Sequence, residues 1–166
     1  RKQYRGYTSS AVKHDYNWHD AIHEPVQDGN GGVCGLSATE PCDDNGHGTH
    51  TVGTMVGDDV GENVTGMAPK AKWIGCRNMD TGYGKPSTYI ECFEYMLAPW
   101  PKGGNPRLEG NPKKAPHVIN NSWACVPEEG CTAGNELFDV LGKMKRAGIM
   151  VVSSAGNEGA DCGTIG

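Results

Sequence analysis

The stretch Ile149–Ser154, IMVVSS, constrains the fold more than any other part of the chain. It is apolar without alternation and too short to cross a membrane. Such a run reads as a strand of a parallel sheet covered on both faces. A helix pattern precedes it: Leu137, Leu141 and Met144 recur on one side of Asn135–Arg146, and Gly148 stops the helix. The same alternation runs upstream. A buried strand is expected over Ala71–Met79, around Trp73, Ile74 and Cys76. A helix is expected over Thr88–Leu97, with Ile90, Phe93 and Leu97 on one face and Thr88 with Glu91 as a capping box. Proline- and glycine-rich sequence follows over Pro99–Pro116, and then a short strand over His117–Trp123 with Val118 and Ile119 buried. Strand, helix, strand, helix, strand at this spacing predicts an α/β chain built from right-handed βαβ units and a parallel sheet. Ligands of such sheets bind beyond the carboxyl ends of the strands. Asp80–Gly84, Ser122–Ala124 and the loop after Ser154 fall at those ends, and they are expected to line one cleft together with His47.

Asp43–Gly53, DDNGHGTHTVG, passes from a charged, glycine-rich loop into Thr51, Val52, Met55 and Val56. It predicts a loop entering a buried helix over Gly48–Gly57, with His47 at the entrance. A helix start carries partial positive charge, which disfavours imidazolium and keeps the ring in the neutral form that a general base needs. Gly46 and Gly48 leave room for another backbone or a substrate to approach. His47 and His50 are three apart, so a shared metal is the competing reading. The zincin pattern, however, requires a Glu after the first His and a second His four residues on, and Gly48 and the three-residue spacing here break both requirements. The general base is the preferred reading.

A chain of 166 residues is within the range of one domain. The formal charge of −5 and the scattered Lys and Arg argue against a nucleic-acid or anionic-membrane surface. Seven cysteines without a CxxC pair point to disulfides and an oxidising compartment, and the odd count leaves at least one thiol over. Cys34 with Cys42, and Cys125 with Cys131, bracket short loops and are the expected bridges. Cys76 and Cys92 read as buried neighbours whose bonding the sequence leaves open, and Cys162 can compete for a partner or reach outside the chain. A glycosylation sequon at Asn63-Val64-Thr65 adds weak support for secretion. Arg1–Gln27 reads as an extended polar loop with a short strand near its start. His19 and His23 are four apart and suggest a metal pair, but a solvated polar loop is favoured there. Asp58, Asp59, Glu62 and Asn63 offer oxygens for Ca²⁺ without EF-hand spacing, so a solvated acidic loop is the better reading.

Three segments then coincide. Asn45–Gly53, NGHGTHTVG, resembles the histidine signature of subtilisin-like serine proteases. Val118–Trp123, VINNSW, resembles the strand lining their substrate cleft, and Ser154–Gly159, SAGNEG, the segment holding their oxyanion asparagine. Gly66–Pro69, GMAP, is similar to a family turn. CRNMD (Cys76–Asp80) and ECFEYMLAP (Glu91–Pro99) look closer to the bacillopeptidase F-like branch than to subtilisin itself.

The resemblance implies a three-layer α/β/α fold with a mainly parallel sheet, residues 1–166 being the middle of a catalytic domain, incomplete at both ends. It implies that His47 is the general base and that Asn157 donates its side-chain N–H to the oxyanion. Ser122, Trp123 and Ala124 would form one wall of the cleft, and Asp80, Thr81, Gly82, Tyr83 and Gly84 the opposite edge, with a peptide lying between them as an added strand. Ser154, Ala155 and Gly156, with Ser153, would border the pocket for the residue before the scissile bond. Ala124 stands where family members often have Gly. The family order is Asp, His, Ser. No D-T/S-G motif occurs before His47, and none of Ser122, Ser153 and Ser154 lies in a G-T-S-M-A stretch. The triad aspartate and serine are therefore expected outside the chain, on a strand ending just before Arg1 and on a segment after Gly166.

The expectation is thus a portion of a secreted serine endopeptidase, inactive by itself and one piece of a longer or nicked polypeptide. Its partners would be a polypeptide substrate and the remainder of the protease, and no cofactor is required. A non-catalytic, subtilase-like peptide-binding module is the alternative, and a metal-binding domain using His47 and His50 is the third reading.

Overall fold

The computed structural model describes residues 3–59 and 64–164. The sequon at Asn63 and the possible calcium ligand Glu62 lie outside the described residues. In chain order the elements are β1 (Trp18–Asp20), α1 (His47–Val56), β2 (Gly75–Arg77), α2 (Pro86–Leu97), α3 (Pro106–Glu109), β3 (Val118–Asn121), α4 (Phe138–Arg146) and β4 (Met150–Ser153). β1 pairs in parallel with β2, Trp18 opposite Gly75 and Asp20 opposite Arg77. β3 pairs in parallel with β4, Val118 opposite Met150 and Asn121 opposite Ser153. The parallel α/β character is as expected. Among the described residues the strands nevertheless form two separate pairs and not the single sheet foreseen. Among the described residues, β2 and β3 are each bonded along one edge only.

A short strand was expected near the start of Arg1–Gln27; Tyr4 there makes only an isolated parallel bridge to Trp73, and the strand β1 lies later, in sequence read as polar loop. Trp18 and Asp20 turn inward while His19 faces the other way, and Ala21, Ile22 and Val26 behind them are buried. The Trp18 indole N–H donates to the Ala38 carbonyl at 2.9 Å. α2 begins two residues before the expected start because Pro86 supplies a preset φ and has no N–H to satisfy. Thr88 is therefore inside the first turn, where its hydroxyl accepts the Lys85 N–H at 3.1 Å. Glu91, expected to complete a cap with Thr88, faces His19 and His23 instead.

The core is built from Phe93 of α2, Ile119 of β3, Val140 and Met144 of α4, and Ile149. β3 alternates, with Ile119 and Asn121 inside and Val118 outside, so the expectation that Val118 is buried is corrected. β4 and α1 depart from expectation in a common way. Met150 is 64% exposed, and in α1 only Val56 is buried. Both were expected to be covered, and among the described residues nothing covers the outer face of β4 or most of α1.

Arg77 closes the β1–β2 end of the molecule. Its guanidinium donates to Asp20 Oδ2 at 3.0 Å, to Asp44 Oδ2 at 2.5 Å, and to the carbonyls of Gly35 at 2.8 Å and Gly31 at 2.9 Å. Asp80 Oδ1 lies 3.6 Å away. One buried cation thus answers three buried carboxylates and two loop carbonyls. Disulfides Cys34–Cys42 and Cys125–Cys131 form as expected. A third, Cys76–Cys92, bonds the two cysteines whose pairing was open and ties β2 to α2, while Cys162 is free and exposed.

Replacing Arg77 with leucine strands those carboxylates, and we expect a loss of about 3–5 kcal/mol. Cys92→Ser opens the loop between β2 and α2 and costs roughly 3 kcal/mol. Denaturant unfolding under non-reducing conditions measures both losses.

Candidate active site

His47 is the first residue of α1, and its ring is exposed, as is that of His50. Gly46 precedes it at φ 87°, a left-handed conformation that a β-carbon would disfavour. Asp43 organises the turn. Its Oδ1 accepts the N–H of Asn45 at 3.1 Å and of Gly46 at 2.8 Å, and its Oδ2 accepts the N–H of Thr49 at 2.7 Å. One carboxylate therefore satisfies a backbone donor at the helix start and shapes the loop that delivers His47. Burial alone would raise the Asp43 pKa, but the bonds from Thr49, Gly46 and Asn45 outweigh it and hold the carboxyl below its usual value. Among the described residues, neither His47 nor His50 belongs to a group of three metal-ligating side chains.

The adjoining loop is bonded to the next segment. Asp44 Oδ2 accepts the Thr81 N–H at 3.0 Å, and the Asn45 side-chain amide donates to the Thr81 carbonyl at 3.4 Å. Asp80–Gly84 is a tight turn, closed by paired Asp80 and Tyr83, with Thr81 at φ 53° and Gly82 at φ 101°. The Asp80 side chain is fully buried and accepts the N–H groups of Val26 at 3.2 Å and Gly31 at 2.8 Å. It can offer a substrate its backbone but not its carboxylate. Gly82 and Tyr83 are exposed, and Thr81 is partly so.

Gly84 is buried where this turn meets the opposite side. Its N–H donates to Glu129 Oε1 at 2.9 Å, and a β-carbon at Gly84 would fall 2.4 Å from the Tyr89 ring. Tyr89 stacks on Trp123 with centroids 4.2 Å apart and planes 12° from parallel. Burial, reinforced by the Glu129 carboxylate, pushes the Tyr89 hydroxyl far above its usual pKa, so it acts as a neutral ring. The Asp80–Gly84 edge and the Ser122–Ala124 wall therefore meet on one side chain, Tyr89, while Glu129 also braces Gly84. Ser122 Oγ accepts the Asn120 amide at 3.0 Å, and Ala124 is exposed.

The last segment joins through the β3–β4 register. The Ser154 N–H donates to the Asn121 carbonyl at 3.0 Å, which sets Ser154 beside Ser122. Ser154, Ala155 and Gly156 are exposed, with Gly156 at φ 89°, and Asn157 follows, also exposed, its backbone N–H donating to Glu158 Oε2 at 2.7 Å. The structure thus links the His47 loop to Asp80–Gly84, that turn to Trp123, and the wall to Ser154. These links run through intermediate segments, and no hydrogen bond joins His47 directly to Asn157. Sequence reasoning missed the supports Asp43, Asp44, Arg77, Tyr89 and Glu129. Of these, Tyr89 carries a signal, because it lies one turn before Phe93 on the buried face of α2.

Asp43→Ala should destabilise the start of α1 by about 1 kcal/mol. Because folding lowers the Asp43 pKa, its contribution is complete above the ordinary aspartate value of 3.8 and is lost as pH falls through the lower folded value. The wild-type and Asp43→Ala unfolding free energies should therefore converge on acidification, which unfolding curves measured across pH will show.

The profile of the subtilase family, Peptidase_S8, matches residues 27–165. The chain is 34% identical to bacillopeptidase F of Bacillus subtilis over 95% of its own length and 10% of that protein. It is 31% identical to subtilisin E of the same organism over 96% of the chain and 38% of that protein. With the subtilisin of Bacillus pumilus it shares 30% identity over 96% of the chain and 52% of that protein. The chain thus spans about a tenth to a half of the length of these relatives. No solved structure matches significantly. The chain belongs to the subtilase family.

Proposed function

We propose that this chain supplies the general base and one oxyanion donor of a secreted serine endopeptidase that hydrolyses peptide bonds by a Ser-His-Asp mechanism. The observation that carries the reading is the capped start of α1, which presents an exposed His47 within the family's histidine signature. His47 accepts the proton of a serine hydroxyl as that oxygen attacks the scissile carbonyl, and then returns it to the leaving amine. The Asn157 side-chain amide donates to the negative oxygen of the tetrahedral intermediate. The substrate peptide lies as an added strand between the backbones of Thr81–Gly84 and Ser122–Ala124. Ser154, Ala155 and Gly156 border the pocket for the residue before the scissile bond, with the Ala124 methyl reducing its room.

The aspartate and the nucleophilic serine come from outside this chain. The edges of β2 and β3 that are unbonded among the described residues are where an aspartate-bearing strand could add. Three disulfides support an extracellular setting. No described helix is long and apolar enough to cross a membrane. No cofactor enters these steps.

In the complete protein, His47→Ala should lower kcat about a millionfold with little change in KM, on the scale measured in subtilisin. Asn157→Ala should lower kcat by ~10²–10³ with KM held, while a serine-directed fluorophosphonate still labels the nucleophile. Steady-state kinetics on a peptide substrate, paired with labelling, tests both. Absence of any labelled serine in the complete protein would overturn the peptidase reading in favour of a peptide-binding module.

A further inference from the structure

His19, His23 and Glu91 reach one point from separate parts of the chain. His19 is the middle residue of β1 and faces away from Trp18 and Asp20. His23 follows in the loop after the strand, and Glu91 lies on α2. Glu91 Oε1 is 2.6 Å from His19 Nε2 and 2.7 Å from His23 Nε2. The ligand atoms of all three residues lie within 4.8 Å of one another, and no other such group of three occurs among the described residues.

The rings are held in place by their surroundings. His19 stacks on Tyr95 at 5.0 Å and meets Trp100 edge-on at 4.8 Å. His23 Nδ1 lies 2.8 Å from Ser37 Oγ. That contact suits a metal ligand, because a ring bound through Nε2 uses its Nδ1–H to hold a second partner. A cavity of about 230 Å³, lined in part by His23, Glu91 and Thr88, opens beside two of the three groups and leaves room for a water ligand. Lys85, the cation lining the same cavity, is paired with Glu24.

We propose that His19, His23 and Glu91 bind one divalent cation of the zinc class. Two imidazoles and one carboxylate favour such ions over Ca²⁺ and Mg²⁺, which prefer all-oxygen sites. Three protein ligands leave a fourth, tetrahedral position for water. Ligand atoms about 2.0–2.1 Å from zinc stand roughly 3.3 Å from one another in a tetrahedron, so each Glu91–His pair must open by about 0.6–0.7 Å and the two imidazole nitrogens must stand well inside the 4.8 Å that bounds the group. The ion would clip β1 and its following loop to α2. Glu91 is adjacent to Cys92, whose disulfide ties β2 to the same helix. The site is separate from the proposed peptidase chemistry and stands or falls without it.

The test is calorimetric titration of the metal-free, oxidised protein with Zn²⁺, with Cys162 alkylated, together with thermal unfolding with and without the metal. We expect one Zn²⁺ per chain and a zinc-dependent rise in Tm. His23 is half exposed, so His23→Ala should fold, and it should lose both effects, as should Glu91→Gln. Ser37→Ala should weaken binding by ~10-fold or more. The His47→Ala/His50→Ala double variant should bind as the wild type does. The proposal is overturned by the absence of saturable zinc binding, by binding that survives His23→Ala, or by binding lost in the His47→Ala/His50→Ala variant.

Discussion

The Arg77 guanidinium sits where β2 ends and anchors the loop that leads to the histidine. It holds Asp20 of β1, Asp44 of the loop before α1, and the carbonyls of Gly31 and Gly35 at once. An isolated buried arginine is costly to desolvate, and so is an isolated buried carboxylate. Each is tolerable only with the others in place, so the arrangement tolerates little partial assembly. Asp44 carries the constraint outward, since the oxygen bonded to Arg77 also accepts the Thr81 N–H. Asp43, the neighbouring residue, then fixes the first turn of α1. Two adjacent aspartates thus divide the work: one faces the buried cation and the other the helix that bears His47.

From Thr81 the linkage continues to Gly84, and there packing replaces charge. Only glycine lets the backbone approach the Tyr89 ring this closely, and Tyr89 in turn supports Trp123. Glu129, inside the small Cys125–Cys131 loop, receives the Gly84 N–H, so this disulfide also bears on the geometry of the cleft. The two sides of the proposed peptide groove are therefore mechanically coupled below the surface, while the groups that would touch substrate remain exposed.

Legibility in the sequence followed the range of the interactions. The helices at His47, Thr88–Leu97 and the start of β4 were readable because periodicity and glycine stops are local signals. The bridges Cys34–Cys42 and Cys125–Cys131 were readable because short loops close readily. β1 was not, because three residues in a polar, aromatic stretch carry too little alternation to mark a strand, and the partners of its buried Trp18 and Asp20, Ala38 and Arg77, lie far along the chain. Glu91 was misassigned to a cap because its partners, His19 and His23, lie about 70 residues away. The coverage foreseen for α1 and β4 rested on apolar composition, which reports what a surface needs buried and not what lies against it. The histidine and asparagine segments were legible as motifs, whereas their supports Asp43, Tyr89 and Glu129 act through tertiary contacts that no local pattern records.

In the proposed mechanism His47 and Asn157 serve one reacting carbonyl. A crystal structure of the complete protein with a peptide aldehyde bound to its nucleophile measures this directly. The Asn157 amide is expected about 3 Å from the hemiacetal oxygen, the His47 ring within hydrogen-bond reach of the serine oxygen, and the peptide backbone between Thr81–Gly84 and Ser122–Ala124. An adduct whose oxygen is held elsewhere, with His47 and Asn157 on separate surfaces, would contradict it.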